Sequence, residues 1–184
     1  MAADIAREQG YKVICFLDDT AIAGVEGKVS EFGRFLDNAD FFVAIGNSAV
    51  RERITNELQS KGARIVCLIH PNAVVAENVR IGKGTIIMAG AVVNTDTEIG
   101  DGVIINTCAS VDHDCKIARY VHIAVGAHVC GTVEIGEHTW VGAGAILINN
   151  ISICAECMIG AGAAIIGSID TKGTYVGVPG RKIK

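Results

Sequence analysis

Aromatic residues make up only 5% of this 184-residue chain, and proline occurs twice. With so few rings, the interior must be filled by Ile, Val and Ala, which points to repetitive, shallow layers. Basic residues are not in surplus. Sixteen Lys and Arg against twenty Asp and Glu leave a formal charge of −4, without the basic face that a nucleic-acid partner requires. No run of about 18 apolar residues occurs, so no membrane span is expected. No signal peptide is expected either, because Met1 is followed by the charged, helix-like AADIAREQG. The seven cysteines are an odd number, scattered along the chain. They read as reduced thiols, and the chain is expected in the cytoplasm. Cys154 and Cys157 form a C-x-x-C without the second pair that a zinc ribbon needs. They read as small inward-facing filler, and no metal is expected.

What the chain does have is 50% hydrophobic residues and 22 glycines, enough for one compact domain or two small ones. Its two parts follow different patterns, which sets expected domains at 1–69 and 70–184. In the first, ADIAREQG has helical spacing and stops at Gly10. YKVICFLDD, FFVAIGN and ARIVCLI read as strands, and SAVRERITNELQSKG reads as a helix from a Ser N-cap to Gly62. This is the alternation of a small parallel α/β sheet, whose ligands sit beyond the carboxyl ends of strands. Asp18, Asp19, Gly46 and Asn47 occupy those ends.

From HPNAVVAENVRIG onward a six-residue period takes over. Every sixth residue from Val75 to Ile165 is Ile, Val or Leu, and a small or branched residue stands two places before each, from Val79 and Thr85 onward to Ala163. Hexads of this kind signal a β-helix. Each is one short strand and a corner, three make a triangular coil, and coils stack about 4.8 Å apart. No insertion breaks the register between Val75 and Gly167.

The hexads, the ending YVGVPGRK and the block NTCASVDHDCKIARYVHIAVGAHVCGTVEIG together resemble the NeuD/PglD-type sugar acetyltransferases. The resemblance spans nearly the whole chain. It implies a left-handed β-helix, where the general crossover rule would give a right-handed one, after a small Rossmann-like α/β domain. It further implies acetyl-CoA as co-substrate, a sugar or nucleotide-sugar acceptor, a role in glycan biosynthesis, and a homotrimer with active sites between subunits. By the same resemblance His113 is the general base, and Asp114 raises its proton affinity. His122, Ala143 and Ala161 meet acetyl-CoA. Asn106 lies near the acceptor, and Asp18, Asp19 and Gly46 touch a UDP-sugar. One departure stands out. Family members place a strand and a G-x-G-G-H-G turn before the first helix, whereas Met1 already lies on that helix, so a start assigned too late is the expectation here.

Spacing tests these roles. Gly131 lies eighteen residues after His113, so the stacked position has no side chain, which leaves room there for a substrate or thioester and puts Gly131 with the coenzyme residues. Ala143 and Ala161 are also eighteen apart and suit a smooth track for the pantetheine arm, although corners need small residues for backbone reasons too. His113 and His122 are nine apart, half a coil, and cannot share one face. A joint site would need neighbouring subunits. His128 and His138 read as surface and His70 as structural, while Arg181, Lys182 and Lys184 read equally as phosphate contacts or a solvated tail.

Acetyl transfer to an amine of a UDP-4-amino sugar is the leading expectation, with O-acetylation of a sialic-acid-like sugar as the alternative. The carbonic-anhydrase branch of the fold takes paired histidines five apart, but the gaps from His113 through His138 are 9, 6 and 10. A trimeric scaffold that has lost acceptor binding is the non-enzymatic rival.

Overall fold

The computed structural model describes residues 1–20 and 23–184. The solenoid runs from β3 (Leu68–Ile69) to β19 (Ala164–Ile165), one two-residue strand per hexad. Every strand pairs in parallel with the strand one coil away, as Ser110 does with His128 and His122 with Trp140. The result is a three-sided prism whose sheets hold six, five and eight strands. The inward aliphatics are essentially all buried from Ile87 to Ile165, with Thr85, Ala91, Val103, Cys115, Thr139, Cys157 and their counterparts filling the gaps between them. β20 (Thr174–Val176) extends the eight-stranded face, and β21 (Arg181–Lys182) turns back on it with Arg181 and Lys182 exposed.

Each corner contains one residue in the left-handed region, recurring every six positions from Gly84 to Gly162. Eight of these are not glycine, among them Asp114 at φ 56° and Tyr120 at φ 58°. An L-residue there costs about 1–2 kcal/mol, which stacking of the next coil must offset.

The three faces differ outside. The six-stranded face presents Val74, Val92, Ser110, His128, Ile146 and Ala164, a column without a charged residue. The five-stranded face presents a ladder of ion pairs, including Arg80 with Glu98 and Lys116 with Glu134. The eight-stranded face is partly covered by the amino-terminal residues.

In that part, α1 (Ala2–Glu8) buries Ile5 against Leu68, Ile86, Met88 and Ile104 of the eight-stranded face. It ends at Gly10, whose φ of 87° suits glycine. α2 (Ser48–Ser60) is capped by Asn47, whose side chain accepts from the Val50 N–H at 3.0 Å. The cap is therefore Asn47, not the expected Ser48, because only the residue before the helix can turn its side chain back onto that amide. Phe32, Val43, Ile54, Leu58 and Ile65 form a separate core beneath α2.

The expected three-stranded sheet is reduced. Among the described residues only β1 (Asp40–Phe41) and β2 (Arg64–Ile65) pair there, and YKVICFLDD contributes a single bridge from Leu17 to Gly27. A strand exists only where a ladder partner stands beside it, and Ile14 and Phe16 are exposed. ARIVCLI divides: Arg64–Ile65 stays with β1, while Leu68–Ile69 pairs with Ile86–Ile87 as the first rung of the solenoid.

Candidate functional site

Two places on the prism gather the candidate site residues. His113 sits in the corner after the six-stranded face, between Ser110–Val111 and Lys116–Ile117. The left-handed backbone at Asp114 turns its carboxylate back onto the ring, and Asp114 Oδ2 lies 2.7 Å from His113 Nδ1. Asp112 steadies the same turn from below, accepting from the His113 N–H at 2.9 Å and from Asn94 at 2.8 Å. The Asp114 hydrogen bond raises the His113 pKa above its ordinary value, with smaller help from the Asp112 charge. A proton held on Nδ1 by Asp114 leaves the Nε2 lone pair free.

Nε2 lies over Gly131. A Cβ at that glycine would fall 2.5 Å from Nε2 and 2.7 Å from Cε1, so the side-chain-free position is occupied by the imidazole itself. Room at Gly131 thus serves the ring, not a ligand above it.

The second place is on the eight-stranded face, the opposite side of the prism, as the half-coil spacing predicts. A cavity of about 580 Å³ opens there, lined by α1, by Phe42 to Gly46, and by Ile86, Ile104, Asn106 and His122. His122 is only 7% exposed and rests on Trp140, with ring centroids 4.0 Å apart. Asn106 accepts the Thr107 N–H on its oxygen, so its amide nitrogen faces His122 Nε2 at 3.2 Å. That fixes the tautomer: Nε2 accepts, and Nδ1 carries the hydrogen. His122 Nδ1 has no partner among the described residues, an unpaired buried donor of the kind a ligand oxygen can satisfy. Burial, with the nearby Arg51 charge, pushes the His122 pKa down to about 4, so the ring is neutral.

The cavity thus joins Gly46, Asn106 and His122. Ala143 and Ala161 are exposed on the neighbouring corner, one coil apart, linked by Gly162 N–H donating to Ala143 O at 2.8 Å. The adjacent Gly142 is demanded by packing, since a Cβ there would lie 2.6 Å from Ile159 O. Asp18 and Asp19 lie outside the cavity lining and accept from the Thr20 and Val29 amides at 2.7 and 3.0 Å. His113 and Asp114 are not in the cavity either.

His138, expected at the surface, is half-buried instead. It pairs with Glu52 of α2 at 3.1 Å and stacks on Tyr120 at 5.7 Å, because α2 docks on that corner. His70 is structural, accepting the Asn72 N–H and facing Glu8. The Cys154 and Cys157 sulfurs are 3.5 Å apart, with Cys157 inward and buried. No group of three or more potential ligands holds metal geometry among the described residues, and none of their helices is long and apolar enough to cross a membrane. Sequence reasoning missed Arg51 and Trp140. The latter was within reach of the eighteen-residue step from His122.

Residues 1–58 match the PglD N-terminal domain family, and residues 66–95 match the bacterial transferase hexapeptide (six repeats) family. Over 61 residues the chain is 41% identical to UDP-N-acetylbacillosamine N-acetyltransferase of Bacillus subtilis. That alignment spans 33% of this chain and 28% of that protein. The acetyltransferase domain of PglB from Neisseria gonorrhoeae, solved with acetyl coenzyme A, is 36% identical. The match covers 99% of this chain and 92% of that one, with a TM-score of 0.95. PerB from Caulobacter crescentus, solved with CoA and GDP-perosamine, is 33% identical over 100% of this chain and 91% of its own, again with a TM-score of 0.95.

Proposed function

Because this chain belongs to the PglD/NeuD-type hexapeptide-repeat acetyltransferases, we propose that it moves the acetyl group of acetyl-CoA to the amine of a nucleotide-linked 4-amino sugar. The observation that carries this reading is the end-to-end likeness to PglB and PerB, the latter solved with an amino-sugar nucleotide. The UDP form of the acceptor is favoured by the bacillosamine relative, and left-handed winding of the solenoid follows from the family.

In this reading His113 Nε2 takes a proton from the attacking amine while the nitrogen bonds to the thioester carbonyl carbon. The tetrahedral intermediate collapses by breaking the C–S bond, and the imidazolium returns its proton to the departing sulfur, giving the amide and CoA thiol. Asp114 holds Nδ1–H and favours the imidazolium formed in that step. Neutral His122, held by Asn106 at Nε2 and resting on Trp140, forms the wall beside the acetyl-CoA thioester. Exposed Ala143 and Ala161 give the pantetheine arm a low edge. Gly46 and Asn106 face the acceptor. Asp18 and Asp19 are kept as nucleotide contacts, with their carboxylates first released from the Thr20 and Val29 amides.

His113 and His122 occupy opposite sides of one prism, so a complete site draws on two chains. The uncharged six-stranded face is the surface suited to pack around a three-fold axis, since desolvating it strands no charge. One edge of that face carries His113, and the other carries Asn106, Ala143 and Ala161. Trimer packing brings unlike edges of neighbours together.

The test is thiol release from acetyl-CoA with UDP- and GDP-linked 4-amino sugars and with free sialic acid. Release with the amino-sugar nucleotides, giving an N-acetylated product, is expected. Turnover confined to hydroxyl acceptors would sink the proposal.

A further inference from the structure

Arg51 is 1% exposed, the most deeply buried charge in the chain. It stands on the first turn of α2, and its guanidinium meets no carboxylate among the described residues. Four backbone carbonyls take its hydrogens instead. Nη1 donates to Ile45 O and Gly46 O, both at 2.8 Å. Nε donates to Gly102 O at 2.8 Å, and Nη2 donates to Tyr120 O at 3.0 Å. Gly102 and Tyr120 are stacked corners of successive coils, whereas Ile45 and Gly46 line the same cavity as His122.

Desolvation pulls the Arg51 pKa down to about 10, still charged at neutral pH. A buried cation without a counter-charge is costly. A helix needing only a dock on the solenoid could use an apolar side chain there, and Glu52 with His138 already supplies a second link. What the fork supplies beyond docking is direction, because a planar guanidinium fixes four acceptors in one plane.

We propose that Arg51 is a positioning residue, clamping the Ile45–Gly46 wall of the acceptor cavity at a fixed distance from the solenoid corner through its four carbonyl contacts. The inference rests on the acetyl-transfer reading for its kinetic consequence but not for its structural one. Catalytic placement is steep in distance: a shift of about 1 Å can cost on the order of 100-fold. A lysine at this position keeps charge but presents a point donor, and can satisfy the two domains only in part.

Three measurements test the clamp. In Arg51→Lys, relaxation dispersion at the Ile45 to Asn47 amides should rise at least threefold over the native chain. KM for the amino-sugar nucleotide should rise at least tenfold, with KM for acetyl-CoA within twofold. Glu52→Gln removes the other domain link and should leave both constants within twofold, which separates positioning from mere docking. In the native chain, where folding is not in question, adding GDP-perosamine or a UDP-linked 4-amino sugar should shift the Arg51 Nε–H resonance. Adding acetyl-CoA alone should not. Unchanged dispersion at Ile45 to Asn47, or equal kinetic effects of Arg51→Lys and Glu52→Gln, overturns the proposal. A native chain inert toward every amino-sugar nucleotide, with the dispersion result as expected, overturns the acceptor assignment instead and leaves the clamp standing.

Discussion

Gly131→Ala is a sharp perturbation because it adds a single carbon against the proposed base. The new Cβ would lie 2.5 Å from His113 Nε2, 2.7 Å from Cε1 and 3.1 Å from Cδ2. Ordinary contact begins near 3.4 Å, so the ring must retreat by roughly 0.9 Å. It can do so cheaply, since the His113 side chain is 52% exposed and nothing packs it from outside in the single chain. Gly131 does not need a left-handed backbone, so alanine brings no strain there. Gly131 is buried, but the clash is with the far end of one mobile ring, so stability should fall by no more than about 1 kcal/mol, the low end for an overpacked position. Turnover should not be spared. A displacement of about 1 Å in a reacting group costs on the order of 100-fold in rate, and the retreat also draws Nδ1 off Asp114. The assay is thiol release at saturating acetyl-CoA and acceptor, beside a thermal melt and acetyl-CoA binding. A kcat within threefold of native, with the fold intact, would refute the placement of Nε2 as the base.

As the proposed base His113 must act unprotonated, and Asp114 raises its pKa, so kcat/KM should fall as pH drops below a point above the ordinary histidine value of 6.5. Asp114→Asn should move that limb to lower pH and reduce the plateau, read from a pH–rate profile. His122 has its folded pKa lowered to about 4 from 6.5, so stability is full above pH 6.5 and is lost as pH falls toward 4. His122→Gln should flatten that decline in melts from pH 7 to 4. Ile123→Ala removes a fully buried rung residue and should cost about 2–5 kcal/mol in denaturant unfolding. Asn47→Ala removes the α2 cap and should cost about 1 kcal/mol.

How much of this was legible depends on whether a contact repeats. Within the hexads one step of eighteen predicts every stack, so Ile105 over Ile123 and His113 beside Gly131 follow from counting. The amino-terminal part has no such rule. YKVICFLDD has a strand's composition, yet its ladder depends on a neighbour that composition cannot supply. Asn47 and Ser48 are both good caps, and backbone geometry decided between them. His138 looked like a surface residue because α2, which covers it, is nearly ninety residues earlier in sequence. Arg51 was hidden for the same reason: an arginine on an amphipathic helix reads as solvated unless the docking partner is known. His122 was identified by resemblance, but its tautomer depends on Asn106 and Thr107, which only coordinates bring together.

The ladder that joins each residue to the one eighteen positions on also limits how this gene can change length. A single inserted codon in the prism would send every later inward aliphatic to the wrong side of its sheet, and three would move a strand's contents into a corner. A whole coil added or removed keeps every face in phase. Above the rung of His122 such a change would lengthen the Ala143–Ala161 edge by about 4.8 Å, one sheet spacing, without disturbing His113. The solenoid therefore acts as a ruler with one permitted graduation. Reach along the proposed coenzyme edge can evolve only in those steps, while the amino-terminal part, bound by no period, is free to diverge residue by residue.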